Sequence, residues 1–375
     1  MRPATVEFLR QRFGSYYASA QVPAPGALPQ REWGFLFFSS RDPRMRRHIG
    51  FGTRDELVDY LRTMAPAHAF FSTAYYDDPA APTMGAKGWA GADLIFDLDA
   101  DHMLRPPFPP YPVMLARVKE ETRKLLDLLT GELGFAERDL QVVFSGGRGY
   151  HIHVKALTVR QFSSAERREL INYVCGIGLD PALLLRPATS PASGWPGRQR
   201  RALAGYLDWL SSLGEGEALA HLEAVPSIGK GLARRIWQRR EILATATDTG
   251  DRKVLRALLS PENEAWRARL REAGVQADEP VTTDIKRLIR APGSLHGGSG
   301  LRVTILEPGE LDAFDPLADA VVFGDREVPV EVVRACTVSL LGTNLPLAPG
   351  PARVPEATAV YLCGRGMAEI GGDAT

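Results

Sequence analysis

Short apolar runs and amphipathic stretches alternate along the first half of the chain, and their periods predict its secondary structure. Runs rich in Phe, Val, Ile and Tyr predict β-strands over residues 32–38, 46–51, 69–76, 141–144 and 150–154, and in the apolar run that begins at Asp93. Helical spacing and capping-box patterns predict α-helices over residues 5–19, 53–64, 113–133 and 163–175. This mixture predicts an α/β fold.

The pattern changes near residue 189. Residues 198–272 are almost wholly helical in pattern, and they lie between linkers at 191–197 and 274–280. Strand-like alternation then returns over 281–289 and 302–306, and the tail contains a proline-rich stretch before a last segment, 357–370, that predicts a helix or strand. We therefore predict an α/β core over 1–190, an inserted, mostly helical lobe over 191–279, and a second part of the core with the C-terminal tail over 280–375.

Charge and cysteine content add little to this picture and exclude some classes of protein. Lys plus Arg and Asp plus Glu both number 45, so the net charge argues neither for nor against nucleic acid as a partner. Cys175, Cys336 and Cys363 form neither a disulfide framework nor a zinc-type spacing, which suits a reducing cytoplasm. No signal-peptide pattern and no run of 18 apolar residues is present, so we expect no membrane span.

Three carboxylates end the strand that begins at Asp93, in Asp93-Leu-Ile-Phe-Asp-Leu-Asp-Ala-Asp-His102. Because side chains of a strand alternate between faces, Asp97, Asp99 and Asp101 are predicted to point the same way. Like charges this close repel unless a cation lies among them, and hard divalent ions take oxygen ligands. The stretch therefore predicts either a two-metal site for phosphoryl or nucleotidyl transfer, or a solvated acidic strand end with helix-capping aspartates.

A glycine-rich turn follows the strand at 141–144, in Ser145-Gly-Gly-Arg-Gly-Tyr-His-Ile-His153. Glycines allow positive φ and close backbone approach, and successive free N–H groups form an anion-binding nest. Ser145, Arg148 and His151 add a hydroxyl, a forked guanidinium and an imidazole, which together favour a triphosphate. The alternative is a glycine-rich hairpin with an exposed arginine and a structural histidine.

Two further motifs give weaker evidence of function. Asp284-Ile-Lys-Arg-Leu-Ile-Arg-Ala-Pro-Gly-Ser-Leu-His-Gly297 combines an acid, several bases and a Ser/His/Gly loop, which indicates either phosphate chemistry or an edge strand followed by a turn. Val225-Pro-Ser-Ile-Gly-Lys-Gly-Leu-Ala-Arg-Arg-Ile236 resembles the hairpin of a helix-hairpin-helix element, which holds a DNA backbone through main-chain N–H groups. The alternative for this second motif is an ordinary corner between packed helices.

Taken together, these motifs resemble the small catalytic subunit of the archaeal and eukaryotic type of DNA primase, and the likeness is closer to the archaeal branch. The resemblance depends on the acidic strand, on Phe144-Ser-Gly-Gly-Arg-Gly-Tyr-His151 and on the segment 284–297, in that order. Supporting matches are Arg31-Glu-Trp-Gly-Phe35, Arg47-His48 and Lys87-Gly-Trp89. The helical lobe and the tail are the parts of the chain that it constrains least.

The resemblance implies a primase-type α/β core with a helical lobe, and a nucleotidyltransferase that makes short RNA or DNA primers on single-stranded DNA. It implies that Asp97, Asp99 and Asp284 bind two Mg²⁺ or Mn²⁺ ions and are catalytic. It also implies a nucleotide site, NTP or dNTP, formed by Ser145, Gly146, Arg148, His151 and His296. The implied partners are a primase large subunit, in a heterodimer, and the template, and the implied place is the cytoplasm at the replication fork.

The sequence departs from the family pattern at two places. Many archaeal relatives carry a Cys/His zinc knuckle after the acidic strand, but residues 103–118 contain neither Cys nor His, so we predict no structural zinc. In some relatives a lysine follows the last His-Gly, where this chain has Gly298. Arg290 or Arg302 is expected to replace that cation.

Three competing functions remain at this level. The polymerase domain attached to some bacterial repair ligases shares the acidic strand and the Ser-Gly-Gly-Arg-Gly turn, but the Arg-Leu-Ile-Arg-Ala-Pro-Gly-Ser-Leu-His segment favours the primase. A phosphatase of the haloacid-dehalogenase type also has Asp-x-Asp after a strand, but Asp101 occupies the place where its motif needs Thr or Val. A nucleic-acid-binding relative that has lost catalysis is disfavoured because all three acids are present.

Overall fold

A computed structural model describes residues 1–39, 44–104, 106–179, 194–245 and 252–371. The α-helices in these residues are α1 (Pro3–Ser19), α2 (Arg54–Met64), α3 (Ala100–Met103), α4 (Tyr111–Gly131), α5 (Ser164–Cys175), α6 (Gly194–Ser212), α7 (Glu215–Glu223), α8 (Lys230–Thr245), α9 (Arg252–Leu258), α10 (Glu264–Ala273), α11 (Glu279–Thr283) and α12 (Glu356–Gly364). The strands are β1 (Trp33–Leu36), β2 (Arg46–Ile49), β3 (His68–Ser72), β4 (Ala74–Tyr76), β5 (Trp89–Ala92), β6 (Leu94–Asp99), β7 (Leu140–Phe144), β8 (Gly149–Val154), β9 (Leu288–Arg290), β10 (Thr304–Leu306), β11 (Glu327–Val332), β12 (Cys336–Leu340), β13 (Thr343–Leu347), β14 (Gly350–Pro355) and β15 (Ala368–Ile370).

The chain divides into two compact units. The first contains residues 1–126, 135–168 and 278–375, and the second contains 127–134 and 169–277. The first unit holds the strands and the second is helical, so the predicted α/β fold class is confirmed. In the described part of the chain, no helix combines the length and the apolar character needed to cross a membrane.

Two four-stranded antiparallel sheets form the framework of the first unit. One has the order β2-β1-β3-β9 and the other β10-β7-β8-β6. In the second sheet, Asp97 of β6 pairs with His151 of β8, and Asp99 pairs with Gly149. This register places the acidic strand and the glycine-rich turn side by side.

Aromatic side chains fill the core beside the first sheet. Trp33 and Phe35 of β1 lie within stacking distance of one another, and Phe51 meets Trp33 edge-on with ring centroids 5.7 Å apart. Leu9 and Phe13 of α1 are fully buried in the same cluster. Burial of each such side chain contributes about 1.5–3 kcal/mol, so this cluster anchors the sheet that carries β9.

The helical unit contains the predicted hairpin. Buried apolar residues at helical spacing line its core, including Leu222 before the turn and Ala233 and Ile236 after it. In the turn, the Ile228 amide donates to the Val225 carbonyl at 2.8 Å. The motif therefore forms a tight turn between α7 and α8, as both interpretations of it predicted.

Both predicted helix starts are confirmed, with a reciprocal capping box at Ser163, whereas at Thr53 the Glu56 carboxylate accepts from the Gly52 amide and leaves the box half formed. The Glu56 amide donates to Thr53 Oγ1 at 3.3 Å, and Ser163 and Glu166 cap α5 reciprocally. Two strand predictions are wrong. Residues 281–289 are not one strand, because α11 ends at Thr283 and β9 begins only at Leu288. Strand β6 ends at Asp99, which caps α3, so Asp101 does not continue the acidic strand.

Candidate active site

A cavity of about 480 Å³ in the first unit contains most of the predicted site residues. Its acidic side chains are Asp97 and Asp99, and its basic wall carries five arginines. The predicted nucleotide-binding residues that line it are Ser145, Arg148, His151 and His296. The other lining arginines are Arg287, Arg290, Arg334 and Arg365. Carboxylates and cations that share one cavity suit a metal-bound polyphosphate, in which negative charge meets both groups.

The two carboxylates share a face because they are separated by one residue on β6. Opposite them on β8, the Nε2 atom of His151 lies 3.4 Å from Asp97 Oδ1. Burial, followed by the nearby charges of Asp99 and Asp278, raises the pKa of Asp97 from 3.8 to about 7. An acid held under such repulsion favours a bound cation, which would remove the electrostatic cost of ionisation.

The third acid beside this pair is Asp278 rather than the predicted Asp284. The Asp278 amide donates to the Asp97 carbonyl at 2.9 Å, and the Asp278 carboxylate contributes to the raised pKa of Asp97. Its Oδ2 atom lies 3.4 Å from His102 Nε2, on the helical turn that follows the acidic strand. Asp278 is therefore a site residue that our sequence interpretation missed.

Asp284 lies at the opposite end of the same short helix. Asp278 is the N-cap of α11 and Asp284 its C-cap, so about 9 Å of chain separates the two acids along the axis. Asp284 is exposed and accepts a hydrogen bond from the Lys286 amide at 2.9 Å. Its charge contributes to the pKa values of Tyr76 and Arg167, both of which it raises, and not to that of Asp97. Asp284 does not line the cavity. The signal in the sequence that could have identified Asp278 is Asp278-Glu-Pro, which is typical of a helix start.

Asp101 acquires a role through its ion pair with Arg148. The Asp101 carboxylate accepts a hydrogen bond from the Arg148 guanidinium, whose Nε lies 3.9 Å from Asp99 Oδ1. Arg148 is half-exposed and lines the cavity together with Asp99. A phosphate that enters here would meet a cation already oriented by two carboxylates.

The glycine-rich turn is held in shape by its own serine. Ser145 Oγ accepts hydrogen bonds from the amides of Gly147 and Gly149, at 3.2 and 3.3 Å. A Cβ on Gly149 would lie 2.1 Å from the Leu98 carbonyl oxygen, so only glycine allows β8 to approach β6 this closely. Gly146 has φ of +73° and does not line the cavity; its carbonyl accepts a hydrogen bond from the Ser299 hydroxyl at 2.5 Å.

The cavity histidines are neutral. Burial and the nearby Arg290 and Arg287 lower the pKa of His151 to about 3, and burial with Arg290 holds the pKa of His296 well below its ordinary value. Because His296 Nδ1 accepts a hydrogen bond from the Gly298 amide at 3.2 Å, its proton resides on Nε2, the atom that faces Gly147. His296 therefore offers a neutral N–H donor beside the glycine-rich turn, and His153 stacks on Phe71 instead of lining the cavity.

Of the two arginines predicted to replace the missing lysine, only Arg290 lines the cavity. Its Nη1 donates to His68 Nδ1 at 2.7 Å, and burial lowers its pKa to about 10. Arg302 donates to the Asp319 carbonyl at 3.1 Å, away from the cavity wall. Within the described residues, no three or more His, Cys, Asp or Glu side chains converge as a complete metal-ligand set, so Asp97 and Asp99 form an open acidic pair.

Comparison with known proteins gives one consistent result. The DNA primase small subunit family matches residues 96–308 of the chain. The DNA primase small subunit PriS of Methanosphaerula palustris is 57% identical over 99% of both chains. PriS proteins of Methanoregula boonei and Methanocorpusculum labreanum are 52% and 51% identical, over 99% of this chain and the whole of theirs.

Proposed function

The chain belongs to the family of DNA primase small subunits and is a DNA primase catalytic subunit. On this premise, we propose that it makes short primers by two-metal nucleotidyl transfer on single-stranded DNA. The observation that carries the chemical proposal is the cavity in which Asp97 and Asp99 face an arginine-lined wall. An acidic pair suits metal ions, and the cations suit a triphosphate.

We propose that Asp97 and Asp99, with Asp278 beside them, hold Mg²⁺ or Mn²⁺. The donor set fits such ions because it consists of carboxylate oxygens, and the raised pKa of Asp97 marks an acid under repulsion from its neighbours. When bound, the ions supply a lowered pKa at the attacking 3′-hydroxyl and neutralise charge at the α-phosphate. The protein residues hold the reactants in line, and most of the rate enhancement comes from positioning and electrostatics.

The nucleotide phosphates are proposed to bind on the other side of the cavity. Arg148 and Arg290 supply charge, and His296 supplies a neutral N–H donor beside Gly147. Ser145 and Gly146 act mainly through the shape of the turn, since the Ser145 oxygen already caps two amides. His151 lies between the phosphate side and Asp97, where its buried Nδ1 has no hydrogen-bond partner among the described residues. The NTP or dNTP substrate would complete these contacts.

Two macromolecular partners follow from the family. A small subunit implies a primase large subunit in a heterodimer and a single-stranded DNA template, and both are proposals for this chain. The prediction that no structural zinc is present stays a prediction.

Synthesis on an unprimed template tests this function. The protein, with and without a large subunit, is incubated with labelled ATP or dATP, Mg²⁺ or Mn²⁺, and single-stranded DNA that carries no primer. Short labelled products are expected. A parallel reaction contains a supplied primer, and its extension without any synthesis on the unprimed strand would indicate the repair-ligase type of polymerase. Binding of the DNA without incorporation in either reaction would indicate a non-catalytic relative.

The choice between Asp278 and Asp284 is directly testable. Asp278→Asn is expected to lower the primer-synthesis rate by about 10²-fold or more, because it removes a carboxylate beside Asp97. Asp284→Asn, at an exposed position outside the cavity, is expected to change the rate by less than about threefold. The primer-synthesis rate of each variant is measured at saturating Mg²⁺ and nucleotide. A large loss for Asp284→Asn with a small loss for Asp278→Asn would restore the original assignment of Asp284.

The hairpin between α7 and α8 is a candidate template contact. Gly229 and Gly231 face open space, where a Cβ would meet no atom within 4 Å, and Lys230 and Arg234 are exposed. Neither cation has a hydrogen-bond or ion-pair partner in the described chain. Such unpaired charge beside an open backbone suits the phosphates of DNA.

Charge reversal tests this contact. Lys230→Glu with Arg234→Glu is expected to weaken binding of single-stranded DNA by about tenfold and to make the slope of log K against log salt shallower by about 1.4, since two phosphate contacts are lost. Fluorescence anisotropy over roughly 50–200 mM salt measures both quantities. Lys253→Glu with Arg271→Glu makes the same charge change on other exposed helical positions of this unit and should leave the slope unchanged.

A further inference from the structure

Arg365 is a cavity residue from a part of the chain outside the family match. It follows the last residue of α12, and its guanidinium carbon lies 4.3 Å from the ring centre of Tyr111 and 4.4 Å from that of Tyr361. Contact with two aromatic rings fixes a cation without neutralising it. Among the described residues no carboxylate forms an ion pair with Arg365; its guanidinium is within side-chain hydrogen-bonding reach of Tyr111, and its buried Nε has no hydrogen-bond partner.

The same elements attach Arg365 to the predicted phosphate loop. The Tyr111 hydroxyl donates to the Gly147 carbonyl in the glycine-rich turn, so one tyrosine contacts both the turn and the arginine. At the end of α12, a Cβ on Gly364 would lie 2.7 Å from the Gly297 carbonyl oxygen, so this helix end packs directly on the backbone of Gly297 and Gly298. Arg365 is thereby held between two glycine-rich segments that line the cavity.

Two of the other four cavity arginines have donors that are already engaged. Arg148 pairs with Asp101, and Arg290 donates to His68 Nδ1. Arg365 instead lies against two tyrosine rings and is within side-chain hydrogen-bonding reach of Tyr111, and its buried Nε donor has no partner in the described chain, which leaves it for an anion. A planar fork of this kind matches the oxygens of a phosphate group.

We propose that Arg365 binds the β and γ phosphates of the nucleoside triphosphate, so that the C-terminal helix completes the substrate site. This inference rests on the proposed function, because it takes a nucleoside triphosphate as the ligand of the cavity. Tyr111 and Tyr361 are positioning residues that hold the guanidinium against the glycine-rich turn.

Binding of ATP and of AMP, each with Mg²⁺, tests the proposal on the full chain. Arg365→Gln is expected to weaken ATP binding by about 10- to 100-fold and AMP binding by less than about twofold, because a charge-assisted hydrogen bond to the terminal phosphates is lost. The KM for nucleotide should rise by the same factor while kcat changes by less than about threefold. Arg326→Gln, at an exposed position outside the cavity, is the matched control and should bind both nucleotides like the wild type.

Thermal unfolding shows whether Arg365→Gln folds, and Arg365→Lys provides a second variant that keeps the charge but loses the fork. The lysine variant should retain part of the preference for ATP over AMP. An unchanged preference in every folded variant, or an equal loss for ATP and AMP, would overturn the proposal. If the wild type makes primers and the preference is unchanged, only the role of Arg365 fails. If the wild type makes no primers on the unprimed template, the proposed function fails instead. The preference for ATP over AMP would then still show whether Arg365 binds the terminal phosphates.

Discussion

Asp97→Asn is expected to lower primer synthesis by about 10³-fold or more without unfolding the protein, because it removes the most buried acid of the cavity. An amide keeps the size of the side chain and one oxygen, but it loses the charge that would attract a divalent ion. Incorporation of labelled nucleotide on unprimed single-stranded DNA, with Mg²⁺ or Mn²⁺, measures the loss. Near wild-type synthesis by this variant would show that Asp97 is not a metal ligand.

The same substitution is expected to stabilise the metal-free protein, which separates a metal role from a structural one. The pKa of Asp97 is raised in the folded state, so ionisation costs folding free energy, and this cost grows as the pH rises from 3.8 through about 7. In EDTA at pH 8 the variant should gain about 1–3 kcal/mol in the free energy of unfolding, and the gain should shrink toward pH 4. A structural role for the carboxylate would give the opposite sign.

The sequence predicted the parts of the site that depend on local spacing. Alternation along a strand is enough to place Asp97 and Asp99 on one face, and the glycine-rich turn was predictable from Ser145 to Gly149. The pairing of β6 with β8, which brings Asp97 opposite His151, required the fold, because neither strand specifies its neighbour. The motifs therefore predicted the chemistry, while the sheet supplied the distances.

The exchange of Asp284 for Asp278 shows where local spacing fails. A strand was predicted over residues 281–289. On such a strand, Asp284 would have been as good a candidate for the third metal-binding acid as any acid nearby. Residues 279–283 instead form α11, which packs against β6 and places its N-cap, Asp278, beside Asp97. The proline at the start of this helix was the signal, and it had more predictive value than the alternation.

Arg365 could not be predicted for a different reason. Nothing in residues 357–370 suggests nucleotide chemistry, and their distance along the chain from the acidic strand exceeds 250 residues. The arginine becomes relevant only because α12 packs on Gly297 and Gly298 and because Tyr111 joins it to the glycine-rich turn. Such a contact is a property of tertiary packing, which pattern and propensity do not encode.

The acidic strand also depends on a buried ion pair at its start. Asp93 precedes β6, and its two oxygens accept hydrogen bonds from Arg31 Nη2 and from the Tyr75 hydroxyl, both at 2.7 Å. Arg31 and Asp93 are each only 3% exposed, and Arg31 also donates to the Ser72 carbonyl at 3.0 Å. Two segments that carried the family resemblance, Arg31–Phe35 and Asp93–His102, therefore meet in one ion pair that fixes where the acidic strand begins.

Asp93→Ala is accordingly expected to lower the free energy of unfolding by about 3–5 kcal/mol, because Arg31 would remain buried without its carboxylate. Urea unfolding followed by tryptophan fluorescence, which reports on the core around Trp33, measures the change. The double variant Arg31→Met with Asp93→Leu removes both charges and should lose less than Asp93→Ala alone. Asp59→Ala, which breaks the exposed pair with Arg62, should change stability by less than about 0.5 kcal/mol. A loss below about 1 kcal/mol for Asp93→Ala would mean that the ion pair does not anchor the strand.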